Sequence, residues 1–141
     1  MWAESSWNRK KTFLRNRKKI DLSNNGIKVI EPGAYKGMAR LRNLELRKNR
    51  ISSIEPETFA GLRKLWILSL ENNNIQIVKS DAFLGLHNLE RLRLDKNHIN
   101  HIENGAFAGL DSLSWVNLQG NPVTCADAYA ADLPRSVRCE S

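Results

Sequence analysis

The chain repeats itself every 24 residues. The series Leu41, Leu44, Leu46, Asn49, Ile51, Ile54, Phe59, Gly61, Leu62 returns as Leu65, Leu68, Leu70, Asn73, Ile75, Val78, Phe83, Gly85, Leu86. It returns again as Leu89, Leu92, Leu94, Asn97, Ile99, Ile102, Phe107, Gly109, Leu110. One step backwards lies a weaker copy, Ile20, Leu22, Asn25, Ile27, Ile30, Tyr35, Gly37, Met38, and a fifth copy starts at Leu113 and breaks off after Val123. A fixed period of this length restricts the chain to a solenoid, because each copy is a unit that cannot bury its apolar face alone. Activity is then expected on a surface shared by several copies rather than in a catalytic pocket.

Each repeated residue has a physical task. Leu44 and Leu46 flank a polar residue, and this period-two alternation predicts a short strand with its leucines facing inward. The equivalents are Ile20-Leu22, Leu68-Leu70, Leu92-Leu94 and Val116-Leu118. Strands that return in the same sense form a parallel sheet, about five strands wide at roughly 4.8 Å each. The asparagines Asn25, Asn49, Asn73, Asn97 and Asn121 are expected to bond backbone groups of their own and neighbouring turns. Tyr35, Phe59, Phe83 and Phe107 are expected to stack behind the sheet. The reading is an α/β solenoid: an arc with a parallel sheet on its concave side and an irregular or 3₁₀ convex side. Residues 1–16 would cap it, 17–123 would carry repeats starting near 17, 41, 65, 89 and 113, and 124–141 would close it.

Charge is unevenly distributed. Residues 1–50 hold 14 Lys/Arg against 4 Asp/Glu, while residues 101–141 hold 2 against 5. Arg9, Lys10, Lys11, Arg15, Arg17, Lys18 and Lys19 form the densest cluster, a candidate site for a glycosaminoglycan or nucleic acid; the plainer reading is a solvated cap. Trp2, Trp7, Phe13 and Leu14 could cover the first repeat as a short helix or an extra strand. No apolar run reaches the ~20 residues of a membrane span, so no membrane contact is expected. No signal peptide is legible at the start, which suggests an excised or recombinant piece. The only cysteines are Cys125 and Cys139. A disulfide between them would close the loop and contribute on the order of 3 kcal/mol; two reduced thiols are the rival reading. The alanine-rich stretch from Ala126 to Leu133, ended by Pro134, predicts one or two helical turns, with Tyr129, Leu133 and Val137 over the last repeat.

The 24-residue period, the F-x-G-L signature and Asn121-Pro122-x-x-Cys125 resemble the extracellular "typical" class of leucine-rich-repeat proteins. The resemblance covers residues 17–125. The chain departs from it in having Ala126-Asp127 after Cys125 and no cysteine near its start. What the resemblance implies is recognition, most often of proteins, on the concave sheet, in an extracellular or cell-surface setting.

Alternation places the ligand-facing side chains between the inward leucines. The candidates are Lys19, Asn43, Glu45, Arg47, Trp66, Ile67, Glu71, Arg91, Arg93, Asp95, Trp115 and Asn117. Trp66, Ile67 and Trp115 stand out as large apolar groups on a wet face, beside arginines. The alternative is that Trp66 folds over its neighbours and Trp115 packs on the cap. The charges among these residues alternate in sign and could pair sideways. His98 and His101 lack a ligand set, so no metal or cofactor is expected. No phosphate loop, nucleophile elbow or acid/base pair is legible, so no enzyme is expected. The expected function is a protein-recognition module, monomeric or weakly dimeric. Polyanion binding through the basic quarter is the alternative, and an excised or engineered scaffold is a third reading.

Overall fold

A computed structural model describes residues 14–141. The expected N-terminal cap falls mostly on residues outside these, of which Leu14 alone is seen packing on the core. The strands are β1 (Lys19–Asp21), β2 (Asn43–Glu45), β3 (Ile67–Ser69), β4 (Ile77–Val78), β5 (Arg91–Arg93), β6 (His101–Ile102), β7 (Trp115–Asn117) and β8 (Arg138–Glu140). A short helix, α1 (Cys125–Ala130), precedes β8.

The main sheet runs β1-β2-β3-β5-β7-β8, every neighbouring pair parallel. Its register is the sequence repeat made physical: Ile20, Leu44, Leu68, Leu92, Val116 and Cys139 stand in one row. Five of these strands come from the L-x-L segments. The sixth, β8, lies in the C-terminal cap and is a strand that the leucine pattern does not announce. On the convex side the path runs mainly as turns. This fits the irregular half of the expectation, and β4 and β6 add a short parallel ladder to it.

Behind the sheet, Tyr35, Phe59, Phe83 and Phe107 stack with ring centroids 6.0, 6.3 and 6.4 Å apart and planes within 15°. Burial pushes the Tyr35 phenol well above its ordinary pKa. The F-x-G-L glycines have a clear reason. Gly61 has φ +95°, and a Cβ there would lie 3.6 Å from the Lys36 backbone of the preceding turn, so left-handed geometry and close stacking coincide.

The asparagines tie each repeat to the one before it. Asn73 Nδ2 donates to Leu46 O and Leu70 O, each at 3.0 Å, while its Oδ1 accepts the Ile51 N–H at 3.0 Å. Asn97 and Asn121 repeat this on Leu70, Leu94 and Leu118, and Asn49 does it on Leu22 and Leu46. Asn25, in the first repeat, is exposed and its side chain donates only to Ser23 O.

At the far end, the Thr124 N–H donates to Asp127 Oδ2 at 2.7 Å, satisfying a free amide at the start of α1. The Cys125–Cys139 disulfide joins α1 to β8. Leu133 and Val137 are buried over the last repeat, and the Tyr129 hydroxyl donates to Val137 O at 2.7 Å.

Replacing Asn73 removes three buried hydrogen bonds and leaves the Ile51 N–H without its acceptor, whereas replacing Asn25 removes one exposed bond. We predict that Asn73→Ala lowers stability by about 3 kcal/mol or more and Asn25→Ala by less than about 1 kcal/mol. Urea unfolding checks this as a shift in midpoint at constant slope.

Candidate functional site

Because inward leucines alternate with outward neighbours, the concave face is built from two side chains per strand plus one just beyond. Across the stack these are Lys19, Asn43, Ile67, Arg91, Trp115 and Arg138, then Asp21, Glu45, Ser69, Arg93, Asn117 and Glu140. Beyond the strand ends lie Ser23, Arg47, Glu71, Asp95 and Gln119. The structure therefore brings eleven of the twelve candidate residues onto one face, with Trp66 at its edge just before β3. It does not expose them equally. Lys19, Arg47 and Arg91 are exposed, Asn43, Glu45, Ile67, Arg93 and Trp115 are half-buried, and Glu71, Asp95 and Asn117 are buried.

The predicted sideways pairing is concentrated on one arginine. Arg93 reaches Asp95 with Nη2 at 3.1 Å and Nε at 3.3 Å, and Nε lies 3.4 Å from Glu71 Oε2. Both carboxylates are only 4% exposed, while the Arg93 side chain is 40% exposed, so the pairing is shielded on the carboxylate side alone. Burial raises the Glu71 pKa, the positive charge of Arg93 works against this, and Asp95 and Glu45 add to the rise. Two acceptors on this face, Asn43 Oδ1 and Glu71 Oε2, are buried without a hydrogen-bond donor. Arg93 is thus held in place by its own neighbours, and its alanine variant would disturb the fold as well as the surface.

A different pair of arginines marks the rim where the strands begin. The Arg42 guanidinium lies over the Trp66 ring at 4.9 Å, and that of Arg91 lies over Trp115 at 4.7 Å. Trp66 is 47% exposed, so it neither folds away nor joins the core. Trp115 is half-buried on β7, between Arg91 and Arg138 of the adjoining strands. Arg42 is a member of this rim that the sequence reading left out, as is Glu90 one further step along. The 24-residue step from Arg42 to Trp66 was the signal that could have found it, since it puts the two side chains at the same repeat position.

The remaining expectations are placed as follows. Arg9, Lys10 and Lys11 lie outside the described residues, and Arg15, Arg17, Lys18 and Lys19 are exposed before and on β1. His98 and His101 are exposed, and His87 Nδ1 lies 2.9 Å from Asp111. Among the described residues, no group of three or more His, Cys, Asp and Glu could hold a metal ion. A shallow groove between β6 and α1 is lined by His101, Ile102, Val123 and Asp127, but Asp127 is already engaged by Thr124. No described helix is long and apolar enough to cross a membrane.

The family profile described as leucine rich repeat matches residues 15–75 and 65–123, most of the chain. The chain belongs to the leucine-rich-repeat family. No curated protein matches it. Among solved structures, it is similar to TLR13 in the crystal structure of the TLR13–ssRNA13 complex, with 31% identity and a TM-score of 0.77 over 85% of this chain. It is also similar to a leucine-rich-repeat protein of Leptospira interrogans, at 22% identity and a TM-score of 0.78 over the whole chain. The chain spans 17% of the first protein and 34% of the second. The second likeness shows the fold alone. In leucine-rich-repeat terms, the candidate surface is the concave side of five turns, closed by a disulfide cap.

The Glu71 environment predicts a pH dependence. A carboxylate whose folded pKa is raised contributes stability that is present below its unfolded value, near 4.5, and is lost as pH rises toward the folded value. Glu71→Gln cannot ionise. Relative to the parent chain it should therefore gain stability as pH rises above 4.5, read from urea midpoints measured at a series of pH values.

Proposed function

We propose that the chain is a non-enzymatic recognition module that binds a protein segment across its concave strands. The observation that carries this reading is the row of Trp66, Ile67 and Trp115. Trp66 is exposed there and Ile67 and Trp115 are half-buried, set on a hydrogen-bonded sheet in a face that is otherwise polar. Large apolar groups flanked by arginine have the composition of binding hot spots, and a sheet that does not need reordering keeps the entropic cost of binding low. Family membership supports the reading, since stacked repeats create an extended surface rather than an enclosed pocket. The Cys125–Cys139 disulfide fits an oxidising compartment, so we place the module at a cell surface or outside the cell, as part of a receptor ectodomain or secreted protein. It would act as a monomer or weak dimer.

A second reading is favoured by one observation. The described part of the basic quarter, Arg15, Arg17, Lys18 and Lys19, is exposed, and the TLR13 neighbour was solved with a single-stranded RNA. Polyanion binding through this end predicts steep salt dependence. Elution from immobilised heparin well above physiological salt, abolished by neutralising the seven basic residues from Arg9 to Lys19, would favour it.

The primary reading is tested by panning a random peptide library against the folded chain. Selected peptides should lose about 2 kcal/mol of binding, roughly thirtyfold in Kd, on Trp115→Ala or Trp66→Ala. Peptides that bind both variants as they bind the parent chain would contradict it.

A further inference from the structure

Four arginines on or beside the concave face fall into two groups, and a fifth, Arg47, is exposed beyond the end of β2. Arg93 is paired with Asp95 and Glu71, and Arg138 Nη2 lies 3.2 Å from Glu140. Among the described residues, neither Arg42 nor Arg91 has a carboxylate partner within ion-pair distance; each is exposed, with its guanidinium over a tryptophan ring. A stacked guanidinium keeps its edge free, and its N–H fork matches the two oxygens of a carboxylate. Stacking also fixes the orientation of the fork, so little side-chain freedom is lost when a ligand arrives.

Resting on the recognition reading above, we infer that this rim anchors an acidic, extended peptide, with one carboxylate on Arg42 and another on Arg91. The spacing follows from the sheet. Arg42 precedes β2 and Arg91 opens β5, which is two strands away in the stack, a separation on the order of 10 Å. A polyproline II segment rises about 3.1 Å per residue with three residues per turn, so acids three apart lie on one side about 9 Å apart. Between the two arginines the rim offers Trp66 and Ile67, which call for an apolar side chain between the acids. That requirement favours a peptide over a sulfated glycan, whose anionic groups would meet a hydrophobic gap. Glu90 is the one acid among the described residues at these rim positions, and it is exposed beside Arg91. It opposes an acidic ligand.

The ligand probe is a fluorescent peptide repeating Glu-Pro-Leu, titrated by anisotropy against the intact chain at low salt, with a Lys-Pro-Leu repeat as control. The glutamate peptide should bind and the lysine peptide should not. Arg42→Gln with Arg91→Gln should weaken binding by about tenfold or more, and Glu90→Gln should tighten it. Arg135→Gln should change nothing, although Arg135 also lies over an aromatic ring, that of Tyr129 in the cap. Both rim arginines are exposed, so urea midpoints should confirm that the variants fold.

Equal binding by the double variant overturns the inference. So does a heparin oligosaccharide that binds more tightly than the peptide and is lost in the same double variant, because the rim is then a polyanion site. The two proposals fail separately. If panned peptides depend on Trp115 but ignore Arg42 and Arg91, protein recognition stands and the acidic anchor falls. If they depend on neither, both fall.

Discussion

Asn49, Asn73, Asn97 and Asn121 each bond backbone groups of two successive repeats, and the rest of the structure depends on that link. Where a strand ends, its ladder of backbone hydrogen bonds ends too, and the turn that follows lies too deep for water to satisfy it. The side-chain amide closes this gap, with Nδ2 on the strand-end carbonyls and Oδ1 on an amide of the previous turn. Each turn is thereby held at a fixed offset from the last. The leucines can then meet in one core, the aromatic rings stack in one file, and side chains 24 residues apart become neighbours on the surface.

That last consequence is where structure becomes function. A ligand on the concave face would meet side chains from successive repeats, so such a site would be composed along the stack rather than along the chain. The face is not uniform in that direction or across it. The rim at the start of the strands carries Arg42, Trp66, Ile67, Arg91 and Trp115, with its arginines laid on rings. Past the strand ends, Glu71 and Asp95 are buried around Arg93, and their charges are largely answered within the protein. One side of the face can offer free positive charge and aromatic surface while the other serves to keep the sheet in shape.

Much of this was legible from the residues, because a repeat supplies its own internal control. The sheet, the asparagine ladder and the aromatic file each recur at one position in successive copies, and the outward set follows from alternation alone. What escaped lies where the repeat stops or where a contact depends on side-chain reach. β8 presents Cys139 at the inward position, so the segment reads as half of a disulfide rather than as a strand. β4 and β6 are two residues long, too short for any periodic signal. Arg42 sits outside the alternating strand, so the outward pattern of the strands does not announce its contact with Trp66. The basic stretch that includes Arg9, Lys10 and Lys11 lies outside the described residues, and its role rests on charge alone.

The central claim, that recognition occurs on the concave strands, is tested most directly by titrating the ¹⁵N-labelled chain with a panned peptide and following its indole and backbone N–H signals. The account predicts that the Trp66 and Trp115 indole signals move together with the amides of Asn43, Ile67 and Arg91, while the convex turns stay still. Shifts confined to the convex turns or to the disulfide cap, with both indoles unmoved, would contradict it.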